Sequence, residues 1–331
     1  MRGLPLVALG LCLALSGQAA AEGVELSVTS RAITQFTFGA EQRIFGKLEF
    51  LGGISYSSGN PLLGAVSAIR FRADGKDFVA VLDTGHWLTG RIARDAEGRL
   101  SGLADLKVRS MLNDEGQDEN VKYQMDAEGL AIGEGEVLVS FENVHRIDAY
   151  PDPGFMEARP ARRLALPFPR RELRSNRGME TLAMSPQAGP LGAVPVAVTE
   201  RSLDRDGNVL AAVLGGPRAG TFGVTRNDPW DITDGAFLPN GDLLLLERRF
   251  RLSDGVGMRI RRIDGRKIRP GAVVDGDVLI DVDLSHQIDN MEGLDVVVMG
   301  ENDIRLIVVS DDNHSILQRN LMLEFRLLPE K

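Results

Sequence analysis

Five times this chain repeats one phrase: a polar residue enters a short apolar run, a tight turn follows, and a second apolar run ends in an acid. The entering residues are Ser67, Glu128, Glu180, Asp234 and Glu292, spaced 61, 52, 54 and 58 residues apart. The closing acids are Asp83, Glu142, Glu200, Glu247 and Asp311, which follow their entering residues by 16, 14, 20, 13 and 19 residues. Each separation fits a hairpin of two short strands, with the turn absorbing the variation. Long amphipathic helix patterns are scarce, and Asp74-Gly75, Asn240-Gly241 and Asp264-Gly265 supply turn chemistry. Short strands repeating at such a period predict an all-β chain folded as a β-propeller. Strands near 24–56 and the run L-M-L-E-F-R-L-L at 321–328 are left over and are expected to close the ring. Six blades is the preferred count, with five the alternative.

The first strand of a propeller blade lines the central channel and the second returns, so entering and closing residues gather at one end of that channel. The predicted hub therefore collects Glu128, Glu180, Asp234, Glu292, Asp83, Glu142, Glu200, Glu247 and Asp311, with Asp312 alongside. Two like charges about 5 Å apart repel by roughly 3 kcal/mol at an effective dielectric near 20. Such a ring needs protons, arginines or a cation. An all-oxygen donor set favours Ca²⁺, or alternatively Mg²⁺, over zinc. Glu128, Glu180, Glu292 and Asp311 are the leading ligand candidates, and Glu142, Glu200, Glu247 and Asp83 complete the set. The competing interpretation is turn chemistry, in which the acids accept backbone N–H groups.

Three of the four histidines stand three residues after a closing acid: His86, His145 and His314. Arginine follows the acid directly in the other two repeats, as Arg201 and as Arg248-Arg249. Histidine moves protons near neutral pH and arginine grips anions. His145, His314 and His86 are accordingly the candidate acid–base groups, and Arg201 and Arg248 the candidate holders of a small anionic substrate. His286 lies outside the register. Trp87 and Trp230 are expected to pack in the interior.

Residues 1–21 have the pattern of a secretory signal: Arg2, an apolar stretch, then small residues at Ala19–Ala21 for cleavage. A periplasmic or secreted protein is expected, with residues 22–331 as one propeller domain and no membrane span. Cys12 is the single cysteine and lies in the leader, so disulfides, thiol catalysis and Cys-ligated zinc are excluded from the mature chain. The formal charge is −9, more negative by one without Arg2, which argues against nucleic-acid binding. A monomer is expected.

The strings G-G-I-S-Y, S-A-I-R-F-R-A-D-G-K-D-F-V-A-V-L-D-T-G, D-A-E-G-L, G-M-E-T-L-A-M-S-P, L-L-L-L-E-R-R-F and N-M-E-G-L with V-V-S-D-D-N resemble, in that order, the phytase-like family of secreted bacterial proteins. The resemblance covers about residues 48–325. It implies a propeller with acidic hub residues and a phosphoesterase-type activity. It carries the family's hub acids onto Glu128, Glu180, Glu247, Glu292 and Asp311 with Asp312; Thr181 and Arg249 stand where the family has glycine, and Ala68 does so in the first repeat. The D-D-P-A phrase of the alkaline phytases is absent. The leading expectation is a metal-dependent phosphoester or ester hydrolase. The alternatives are a non-catalytic scaffold with a structural Ca²⁺ and a sugar-lactone hydrolase.

Overall fold

The computed structural model describes residues 23–118, 122–168, 172–173, 178–251 and 255–329. The expected signal segment lies outside the described residues. Strands fall where the apolar runs predict them and assemble into five sheets. From the inside outward, blade 1 holds Val66–Phe71, Asp77–Leu82, His86–Arg94, Leu100–Ser110 and the short edge Val24–Glu25. Blade 2 holds Ala127–Gly133, Glu136–Phe141, Arg146–Pro151 and Arg162–Leu164. Blade 3 holds Met179–Met184, Pro195–Leu203, Val209–Val213 and Gly220–Val224, and takes Val273–Val274 as a parallel edge. Blade 4 holds Asp231–Phe237, Leu243–Arg251, Gly255–Ile263 and Asp277–Asp283.

Blade 5 explains why the count is five, the lower of the two numbers open from sequence. Its inner strands are Asn290–Gly300, Asp303–Asp311 and Asn320–Leu327. The N-terminal strand Leu48–Ser57 pairs antiparallel with Asn320–Leu327, and Thr29–Ile33 pairs outside it. Chain start and chain end thus complete one shared blade instead of building a sixth. The five inner strands pack side by side around the channel, and the last meets the first.

Apolar side chains fill five cores, one between each pair of neighbouring blades. Along Asp77–Leu82, Phe78, Ala80 and Leu82 join the core shared with blade 5, while Val79 and Val81 join the core shared with blade 2. This is the two-residue period of a strand buried on both faces, which is why the runs read as continuously apolar. Trp87 is fully buried and meets Tyr150 of blade 2 edge to face, ring centroids 5.1 Å apart. No helix among the described residues is long and apolar enough to cross a membrane.

Candidate functional site: an acidic hub at one end of the channel

A β-bulge sits near the start of every inner strand. Pairing skips one residue at Ser67, Glu180 and Glu292, and in blade 2 Glu128 and Gly129 together face Ser140. A bulge frees one side chain from the ladder and re-aims it. In these blades it turns the entering residue toward the hub. Blade 4 departs: there the skipped residue is Thr233, between Ile232 and Asp234.

That one-residue offset has two consequences, because a shift of one reverses the side of a strand that a residue faces. Asp234 leaves the hub set in which the repeat placed it. It is fully buried and holds Arg70, whose guanidinium donates to both its carboxylate oxygens at 2.7 and 2.8 Å. The closing position is displaced in the same way. Asp83, Glu142 and Glu200 donate their backbone N–H groups to Ala65, Asp126 and Gly178, just ahead of the bulges. In blade 4 the residue paired opposite the equivalent Asp231 is Arg248, and in blade 5 the residue opposite Asn290 is Asp311. Glu247 instead pairs with Ile232 and points away, clasped by Arg259 at 2.6 Å and by Arg261. The hub therefore carries Asp83, Glu142, Glu200, Arg248 and Asp311 at five equivalent positions, four acids and one arginine.

Electrostatics join these groups. Burial, then Asp126, Glu142, Glu292 and Asp83, raise the Glu128 carboxyl well above the usual range. Burial, then Glu128, Glu200, Glu142 and Glu292, do the same to Glu180. Glu292 is pushed up to about 7 by burial, against the opposing pull of Arg248. Asp311 rises to about 6, again chiefly through burial, with Asp83 and Asp312 adding to it. Arg248 bonds Asn290 and Glu292 and lies 3.8 Å from Glu200. It offsets part of the negative charge on the side of the hub formed by blades 3 to 5.

On the opposite side, Asp126, Glu128 and Glu142 offer oxygens that all lie within 4.8 Å of one another. Asn143 donates to one Asp126 oxygen at 2.6 Å, and the Gly178 N–H donates to one Glu142 oxygen at 2.7 Å. These bonds orient the carboxylates. Oxygen donors at this spacing, under mutual repulsion in a buried place, fit a hard divalent cation. Asp126 was missed from sequence because it precedes the repeat's entering residue. The D-x-E spacing with Glu128 was its available signal.

The histidines occupy different settings. His145 packs beside Glu142 at Gly178, where a Cβ would come within 2.8 Å of the imidazole. His86 is half-buried between the Thr84 hydroxyl at 3.0 Å and the Ser110 hydroxyl at 3.2 Å, and burial lowers its pKa. His314 is exposed at the rim, its backbone N–H donating to Asp312. Arg201 is held by Asp231. His286 packs against Phe36 at a tilt and against Phe45 edge to face, far from this register. Trp230 is buried under Arg249 and Arg259.

The family model described as "Phytase-like: Esterase-like activity of phytase" matches residues 61–314, from the threshold of blade 1 through the last hub loop. The chain belongs to the phytase-like family. The match takes in all five inner strands of this phytase-like propeller and every hub residue named above. No curated protein matches the chain. Among solved structures it is similar to the β-propeller domain of Cps50 (Swd1) from Myceliophteria thermophila, at 12% identity over 78% of this chain and 71% of that one, with a TM-score of 0.35.

Proposed function

We propose that this phytase-like protein is a secreted or periplasmic, metal-dependent hydrolase of phosphoesters or related esters, working at the acidic hub. The observation that carries the reading is the Asp126, Glu128 and Glu142 triad, whose oxygens lie within 4.8 Å of one another and beside an arginine-bearing half-ring. Those three carboxylates would hold a divalent cation, Ca²⁺ by preference, with Glu180 as the adjoining donor. When bound, the cation supplies Lewis acidity to an ester oxygen or to water.

The chain's own groups supply the rest. Arg248 and Arg201 orient a small anionic group at the mouth. Both are held by carboxylates, which fixes their side chains and lowers the ordering cost when an anion arrives. His145, beside Glu142, is the nearest candidate to move a proton, and His86 and His314 are candidates in blades 1 and 5.

A panel of phosphoesters, carboxyl esters and lactones, run with Ca²⁺ and with chelator, tests the proposal. Hydrolysis of one class, lost on chelation and in Glu128→Gln, supports it. Absence of turnover in every class, with chelator still lowering the melting temperature, would leave a scaffold with a structural ion. Lactones as the best substrates would favour a sugar-lactone hydrolase.

A further inference from the structure

On the side of blades 3 to 5 the hub opens into a cavity of about 690 Å³. It shares Glu200, Arg248 and Asn290 with the carboxylate cluster, so whatever fills it also touches the hub. Its charged lining balances, with Arg201, Arg248 and Arg249 against Glu200, Asp231 and Asp289. Arg201 is paired to Asp231 and Arg248 to Glu292. A polyanion entering here meets no net positive charge.

The remaining wall is largely apolar, with Ser315 and Gln318 its polar members besides Asn290. Leu243–Arg251 runs four residues beyond Glu247, and strand alternation places Phe250 on the same side as Arg248. Val256 is the cross-strand partner of Phe250. Leu284 closes against the same hairpin at Gly255, where φ is +70° and a Cβ would lie 2.4 Å from the leucine. Leu317 arrives from the blade 5 loop. Phe250 is 69% exposed and Leu317 87%, so the packing of the blades does not account for either. Apolar walls meeting a few fixed polar groups, in a space of about 300–1,000 Å³, are the usual make-up of a small-molecule site.

We infer that the hub's substrate carries an apolar, aryl- or acyl-sized group, which lies against Phe250, Val256, Leu284 and Leu317 while its ester end faces Arg248 and the carboxylates. A polyphosphorylated sugar would find no matching excess of positive charge in this cavity. The inference rests on the hydrolase reading only for the chemistry of the ester end.

Binding separates the two ideas, since it needs no turnover. Methyl phosphate, phenyl phosphate, 1-naphthyl phosphate and inositol hexakisphosphate are titrated into the purified protein with saturating Ca²⁺. The expected Kd falls about tenfold from methyl to phenyl phosphate and falls again for naphthyl. Phe250→Ala with Leu317→Ala, both at exposed positions that leave the fold intact, removes that gradient and leaves methyl phosphate unchanged. A flat series, absence of binding, tightest binding of the hexakisphosphate, or a gradient that survives in the double variant overturns the inference. A retained gradient with no turnover of any ester supports the cavity and removes the hydrolase.

Discussion

Arg70, on the inner strand of blade 1, crosses the channel to Asp234 of blade 4 and binds both its carboxylate oxygens. The same guanidinium donates to the carbonyls of Ile69, Leu182, Gly235 and Leu294, on the inner strands of blades 1, 3, 4 and 5. Burial works against this cation, but Asp234 outweighs it and holds Arg70 protonated above its usual range. The pair closes the channel beneath the hub and ties four blades to one side chain.

Removing one member strands the other without a counter-charge. Arg70→Met or Asp234→Leu is expected to cost about 3–5 kcal/mol, and the double variant markedly less than the sum. Denaturant unfolding in a double-mutant cycle measures this. Additive losses would contradict the plug.

The register offset in blade 4 predicts opposite behaviour for two glutamates that the repeat treats alike. Glu142→Gln should abolish the rise in melting temperature on adding Ca²⁺. Glu247→Gln, which weakens the bond to Arg259 and Arg261, should lower the melting temperature and leave the Ca²⁺-induced rise intact. For the wild type that rise corresponds to about 2.7 kcal/mol at a hundredfold excess over Kd. Thermal unfolding with and without chelator provides the comparison.

Acidity should stabilise the cation-free protein. Glu292 titrates near 7, and Asp311 and Asp295 near 6, each raised chiefly by burial. Between about pH 4 and 7 the folded chain therefore holds protons that the unfolded chain has released. Stability falls as pH rises through that window and levels off above it. Glu292 alone contributes about 3 kcal/mol to the fall. Denaturation midpoints across this range in chelator should decline, and Ca²⁺ should flatten the decline. Asp295 lies outside the hub, so Asp295→Asn should reduce the slope in both conditions.

Gly129 lies in the blade 2 bulge, and a Cβ there would lie 2.5 Å from the Ser140 hydroxyl and 2.7 Å from the Glu180 carbonyl. Gly129→Ala is expected to destabilise by about 1–3 kcal/mol through overpacking. Because it displaces Glu180, it should also weaken Ca²⁺ binding, as isothermal titration would read.

The sequence by itself determined the all-β repeat, the closure of the ring by its two ends, and the convergence of Glu128, Glu142, Glu180, Glu200 and Glu292. Those residues are spaced so that strand alternation and the start of each blade assign them one side. Tertiary structure decided what alternation leaves open. A bulge inserts one residue without marking the sequence, so Thr233, and not Asp234, occupies the blade 4 hub position, and Arg248 stands where Glu247 was expected. The repeat also could not show that residues 48–57 and 320–327 complete the blade of residues 290–311 instead of forming a sixth, because that sheet joins segments from opposite ends of the chain. Arg70 was invisible for a related reason: its partner lies 164 residues away, and only the closed ring brings the two together.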